Sequence, residues 1–254
     1  MRRLLMAVAV IVAVVMVAGT VSATLLGIKD NYSANVPDIL YDAGGTISYD
    51  AGTDLFELIA WDKTLYLEKP GSGIDISDKV RFGLAICVDE NGNFTGGVTG
   101  HTYTWDGTSI TSDYDMVEYV VEDFSFEWNG TTYKFEAGDI FLAAEVLAFG
   151  WDEVNKKTFD FLFGPVSGKL VTTYLHYDGT EWITKTDGYN LWPTTPPTGA
   201  YVDTSQAMTD WKSNWDVLTD KGDKVPTPEL ATLLLLGSGL IGLAGLGRRK
   251  FKVR

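Results

Sequence analysis

The sequence predicts an all-β protein: an antiparallel two-sheet sandwich, jelly-roll-like, with one short helix near the C-terminal end of the body and an apolar segment at each end of the chain. Three observations predict it. From Gly44 to Lys185 apolar and polar residues alternate with period two, carried by aromatic and β-branched side chains. Asn-Gly and Asp-Gly pairs punctuate the alternation where hairpins need positive φ. No repeated strand-helix-strand signature is present, and helical patterning is sparse.

The N-terminal segment, residues 1–23, reads as a signal peptide. Arg2 and Arg3 precede an uncharged apolar run from Leu4 to Ala18, and Val21-Ser22-Ala23 offers the small side chains that signal peptidase requires. Cleavage between Ala23 and Thr24 is expected. The body then spans residues 24–218, followed by a linker over 219–227.

Within the body, "GTISYDAGTDLFELIAW" is two alternating runs around Asp50-Ala51-Gly52-Thr53, and "VRFGLAICVDENGNFTGG" repeats the plan around Asn91-Gly92. An aromatic residue followed by Asp or Asn and then Gly-Thr recurs at Trp105-Asp106-Gly107-Thr108, Trp128-Asn129-Gly130-Thr131 and Tyr177-Asp178-Gly179-Thr180. Three hairpins are the economical reading. The prolines of "NLWPTTPPTG" mark a long loop, since proline cannot donate to a ladder. After Asp203-Thr204 as caps, Met208, Trp211, Trp215 and Leu218 fall on one helical face, which predicts the helix.

Charge excludes one class of partner. The chain carries 20 basic and 34 acidic side chains, and seven of the basic ones lie in the two terminal segments, so the body is more acidic than the overall −14. Such a body repels phosphates, and no nucleic-acid partner is expected. Cys87 stands alone in "FGLAICV", excluding an internal disulfide and reading as a small buried hydrophobe.

Catalytic motifs are missing from the sequence. His101 and His176 accompany no nucleophile elbow and no metalloprotease helix, so no catalytic residue is assigned and no enzyme activity is expected. The plentiful carboxylates single out no acid and nucleophile pair, though a polysaccharide-processing enzyme could be built from two held at a fixed separation. No cofactor is expected, with calcium the one candidate. Asp89, Asn91 and Asn93 present alternating oxygen ligands in a turn, as do Asp113 and Asp115, without the glycine and glutamate positions of an EF-hand. Trp105, Trp128 and Trp151 lie near turns, where indole faces could stack on a glycan; filling the core is the competing use.

The chain ends in "VPTPELATLLLLGSGLIGLAGLGRRKFKVR". Leu230 to Gly247 is eighteen residues without a charge, long enough as a helix to span a bilayer, and the basic cluster after it belongs on the cytoplasmic side. Gly237-Ser238-Gly239-Leu240-Ile241-Gly242 spells a dinucleotide fingerprint but lacks the strand before and the βαβ unit after it. Small residues at that spacing suit helix packing in lipid.

The order of parts resembles the PEP-CTERM sorting signal of Gram-negative bacteria, in residues 228–254. The motif is Pro228-Glu229, then the glycine-punctuated apolar run, then Arg248-Arg249-Lys250; Leu230 stands where the motif has its second proline. Two stretches of the body, "GGTISYDAGTDLF" and "GDIFLAAEVLAFGWDEVNKKTFDFLFGPVSGKL", are similar to bodies of small proteins of this family. The resemblance implies recognition and cleavage by a membrane-embedded exosortase, transient residence in the inner membrane, and release to the cell surface or extracellular matrix. The expected role is structural or adhesive in an exopolysaccharide or biofilm setting. The alternatives are a glycan-binding module, a polysaccharide-processing enzyme, and a plain single-span anchored periplasmic domain.

Overall fold

The computed structural model of the chain describes residues 25–32, 37–67, 73–105, 107–128, 130–172, 176–177, 182–183 and 198–226. The expected cleavage site at Ala23-Thr24, the apolar run, and Pro228, Glu229, Arg248, Arg249 and Lys250 lie outside the described residues. Among the described residues no helix is long and apolar enough to cross a membrane.

Alternation becomes strand. β1 (Asp38–Asp50) turns through residues 51–54 into β2 (Leu55–Tyr66). Along β2, Phe56, Leu58, Ala60 and Asp62 are buried on one face while Glu57, Ile59 and Trp61 are half-buried on the other. Period-two burial of that kind is what a sheet facing a core imposes. The chain continues through β3 (Ile74–Asp75), β4 (Val80–Val88), β5 (Phe94–Gly97), β6 (His101–Trp105), β7 (Thr108–Ser112), β8 (Met116–Val120), β9 (Phe124–Trp128) and β10 (Thr131–Phe135). It completes with β11 (Ile140–Ala144), β12 (Val146–Trp151), β13 (Thr158–Phe163), β14 (His176–Tyr177), β15 (Trp182–Ile183), β16 (Thr198–Thr204) and β17 (Trp215–Pro226).

The two expected sheets are replaced by one. An 11-stranded antiparallel sheet runs β11-β8-β4-β2-β1-β17-β16-β13-β12, with β3 and β5 paired to its side. Its two ends are joined by a single residue, Glu145, between β11 and β12. Taken as one strand bent at Glu145, β11 and β12 close the sheet nearly completely into an eight-stranded up-and-down barrel. The bend is pinned on both sides. Val146 N–H donates to Asp115 Oδ2 at 2.9 Å, and Gly164 N–H donates to the Glu145 carbonyl at 2.9 Å. A meander and a jelly roll share the same alternating strands; only the pairing order separates them, and alternation does not encode it.

Two of the three echoed hairpins are two-residue turns. Trp105 pairs with Thr108 and Trp128 with Thr131, with φ of 84° at Gly107 and 73° at Gly130. That is the conformation a primed turn demands. In the third, Tyr177 pairs with Trp182, and the connection holding Gly179 lies outside the described residues. The hairpin β9–β10 folds its aromatic face, Phe124, Phe126, Trp128, Tyr133 and Phe135, against the main core.

The helix expected after Asp203-Thr204 is not formed. Those two residues close β16; a loop carries Met208 and Trp211 into the core, and Trp215 opens β17. β17 pairs with β1 on one side and β16 on the other, so Trp215, Val217 and Thr219 are buried by alternation while Leu218 is 53% exposed. Two flanking ladders outweigh the weak helical periodicity. For the same reason residues 219–226, expected as linker, are a paired strand.

Outside the barrel, a short helix α1 (Ile28–Tyr32) lies over β13, β16 and β17 and seats Ile28 between Leu162 and Val225. A second, α2 (Lys169–Thr172), follows β13 and packs on β11.

Candidate functional site

Of the turn acids and indoles singled out by sequence, Asp89, Asp115 and Trp151 are engaged within the fold. Asp89 Oδ1 accepts from the backbone N–H of Asn91 at 2.8 Å and Asn93 at 2.9 Å, and both its oxygens accept from the Asn93 side-chain amide. Burial works against that charge, but the Asn93 and Asn91 bonds together hold the carboxyl below its ordinary range. Asp115 is buried at the barrel bend. Its desolvation raises its pKa, opposed by the Val146 N–H. Among the described residues no group of three or more His, Cys, Asp or Glu is placed to hold a metal ion.

Trp151 is 8% exposed and meets Trp211 edge to face at 5.5 Å, so it offers no open face to a sugar. The β4–β5 turn presses on both rings: a Cβ on Gly92 would stand 2.5 Å from Trp211 Nε1 and 2.6 Å from Trp151 Nε1. Trp128 is partly buried against the core, and Trp105 pairs with Thr108 at the end of its hairpin. Cys87 is half-buried, and burial raises its thiol pKa. His101 contacts Glu57 at 3.2 Å and packs edge-on to Tyr103.

What the fold assembles instead is a charged cluster inside the barrel. Lys224 on β17 and Glu118 on β8 are both 0% exposed, and Lys224 Nζ donates to Glu118 Oε1. The two strands sit four places apart around the ring in either direction, so the pair spans the interior. Lys224 Nζ also lies 4.4 Å from the centre of the Phe82 ring, 5.7 Å from Tyr41 and 5.9 Å from Phe163. Asp62 enters the same interior from β2, directly opposite Tyr41 on β1, whose ring stacks on Phe82 at 5.0 Å. Both Asp62 oxygens, Glu118 Oε2 and the Tyr41 hydroxyl are buried without a hydrogen-bond partner among the described residues.

Electrostatics follow from that enclosure. Burial raises the Asp62 pKa well above its ordinary value and Glu118 pushes it further, against the pull of Lys224 and Arg81. Burial also raises Glu118, opposed by Lys224. The Tyr41 phenol is held well above its usual range by burial and then by Glu118 and Asp62. Arg81 stands on the outer face, 4.6 Å from the centre of the Trp61 ring.

A second set of acids lies under α1. Asp160 Oδ2 accepts from Gly27 N–H at 2.8 Å and Ile28 N–H at 3.1 Å, while Lys29 Nζ bonds Asp203 at 2.6 Å. Burial, partly offset by those N–H groups, raises Asp160 to about 6. Elsewhere an open groove of ≈ 380 Å³ is lined in part by Ser48, Glu57 and Asp216. Ser48 pairs with both acids, which places them two strand spacings apart, about 10 Å between Cα atoms.

Sequence reading missed the interior charges, although the signal is there. Asp62 continues the buried phase of Phe56, Leu58 and Ala60, and Glu118 shares a phase with Met116 and Val120. A charge on the apolar phase of a strand is the mark to look for. Neither a family model, nor a curated protein, nor a solved structure matches the chain.

Proposed function

We propose that this chain is an exported, non-enzymatic protein of the cell surface or extracellular matrix, sorted and processed through its C-terminal segment as in the PEP-CTERM family. Its acidic body has a structural or adhesive role in an exopolysaccharide or biofilm setting. The observation that carries the reading is the order after β17: Pro228-Glu229, an uncharged run from Leu230 to Gly247, and Arg248-Arg249-Lys250.

The geometry of β17 supports a load-bearing body. This strand carries the tail, and only Thr227, Pro228 and Glu229 separate it from the apolar run. Even extended, they hold the end of the barrel within about 14 Å of the bilayer before processing. Ladder bonds lie perpendicular to the strand, so pulling on the tail loads the β1 and β16 ladders together in shear. Two residues before the exit, Lys224 ties β17 to the opposite wall through Glu118.

The test is Glu229→Ala in cells that process other proteins with such tails. A sorting enzyme reading Pro228-Glu229 would leave this variant full-length and membrane-held while wild type is shortened by its tail. A plain anchor, which relies on the apolar run and basic cluster alone, would make the variant silent. The groove acids favour one second reading, since Glu57 and Asp216 flank Ser48 on neighbouring strands and line one open groove, where a pair of carboxyl groups could act across a glycosidic bond. Exopolysaccharide hydrolysis by the purified protein, lost in both Glu57→Gln and Asp216→Asn, would establish that reading instead.

A further inference from the structure

The interior of the barrel has an odd charge count. Around Asp62, β1 supplies Tyr41 and, nearby, Asp38; β4 supplies Phe82, with Arg81 on its outer face; β8 supplies Glu118 and Met116; β17 supplies Lys224, with Asp223 beside it. Asp62, Glu118 and Lys224 are each 0–1% exposed, so two carboxylates share one ammonium in a space lined by Tyr41, Phe82, Phe163 and Met116. Lys224 is committed to Glu118 Oε1. If both acids were ionised, Asp62 would be a buried anion with no hydrogen-bond partner among the described residues while the nearest ammonium is bonded to Glu118, an arrangement proteins avoid by protonation.

We propose that the barrel stores one proton on Asp62 at neutral external pH, donated toward Glu118 or Tyr41, and that losing it loosens the Lys224 anchor of the tail-bearing strand. One added proton cancels the excess charge and gives the three orphaned carboxylate oxygens, both of Asp62 and Glu118 Oε2, a donor beside the Tyr41 hydroxyl, which can itself donate or accept. Asp62 takes it rather than Glu118 because Glu118 already holds the ammonium. The strong upward pressure of burial on Asp62 agrees with the geometry. When the proton leaves, the second carboxylate competes for Lys224 and the cross-barrel pair is no longer exclusive. The group is a pH-sensitive lock: the folded state holds a proton that the unfolded chain has released, so stability falls as pH rises toward the Asp62 pKa. This inference stands on the barrel alone and does not depend on how the tail is processed.

The experiment is infrared spectroscopy of the purified exported protein with isotope at the aspartate side-chain carboxyl carbon. At pH 8 Asp160, raised only to about 6, is ionised. The expected result is a label-sensitive carbonyl stretch of a protonated carboxyl at pH 8, present in wild type and Asp160→Asn, absent from Asp62→Asn, and shifted to a lower midpoint in Glu118→Gln. Asp62→Asn should also flatten the fall of Tm between pH 6 and pH 9. No protonated aspartate carbonyl in wild type at pH 8 overturns the proposal, and so does a band that survives in Asp62→Asn. Should Asp62→Asn fail to fold, the wild-type band and its shift in Glu118→Gln decide. A wild-type Tm at pH 8 that falls when sodium and potassium are replaced by tetramethylammonium at equal ionic strength assigns the charge balance to a metal cation and also overturns it.

Discussion

Inside the barrel, the end nearest residues 51–54 is packed by aromatic and aliphatic side chains without a buried charge pair, whereas the end nearest Pro226 packs rings around three charges. At the first end Phe56 meets Phe149 at 5.2 Å and Phe159 at 5.5 Å, and Trp211 meets Trp215 at 5.5 Å and Tyr49 at 5.0 Å. Tyr49 directs its hydroxyl to the Val88 carbonyl at 3.0 Å, and burial lifts its phenol to about 12. At the second end Tyr41, Phe82 and Phe163 surround Lys224, with Glu118 and Asp62. The first end gains from apolar area, which is indifferent to pH. The second gains only while its charges are matched, because desolvating an ion is repaid by a partner or not at all. One fold therefore carries a pH-independent end and a pH-dependent one, and the dependent end holds the strand that leaves toward the tail.

The largest expected effect tests the charged end. Lys224→Met should cost about 3–5 kcal/mol in urea unfolding at pH 8, since Glu118 and Asp62 then share a buried site with no cation. Adding Glu118→Leu should restore most of that loss; a double variant no better than the single one would mean that packing, not charge, holds this end. In the aromatic end, Phe56→Ala should cost roughly 4 kcal/mol through the cavity it leaves, equally at pH 5 and pH 8. A pH-dependent loss there would erase the distinction between the ends.

Asp160 sharpens the comparison from outside the barrel. Its pKa is about 6 in the folded chain, against an ordinary value near ~3.9 when unfolded. The folded state therefore binds the extra proton between those values, and stability falls as pH rises from about 4 to about 6, by roughly 3 kcal/mol in full. Asp160→Asn should remove this Asp160 share of the fall, making the decline between pH 4 and pH 6 shallower, and leave any decline above pH 7 untouched, as measured by denaturant unfolding across the range. The smallest effect belongs to the surface: Gly130→Val, forced to φ near 73°, should cost roughly 1–3 kcal/mol at every pH. Unchanged thermal unfolding would show that the β9–β10 turn tolerates a branched residue.

Much of this architecture is local and was legible. The turn after Asp50 and the glycines at 92, 107 and 130 sit between strands as read, because turn chemistry and alternation act over a few residues. The closure of the ring was not legible, since the bend at Glu145 depends on Asp115 reaching Val146 across thirty-one residues. The supposed helix at Met208, Trp211 and Trp215 failed for a related reason: those residues do share a core, but a loop and a strand bring them there. Trp151 shows that a position near a turn says nothing about which way an indole faces. The interior charges were visible only as breaks in apolar phase, which gain meaning once Asp62, Glu118 and Lys224 are known to meet. The tail is the opposite case, being read from the order of its parts without any fold.

The most direct test of the account is the C-terminal residue of the mature protein, read by mass spectrometry of the intact exported chain. The expected chain begins near Thr24 and ends close after Glu229, with β17 complete and the run from Leu230 to Gly247 removed. A mature chain that still ends in Arg254, in cells that trim other such tails, would contradict it and leave the segment as a simple membrane anchor.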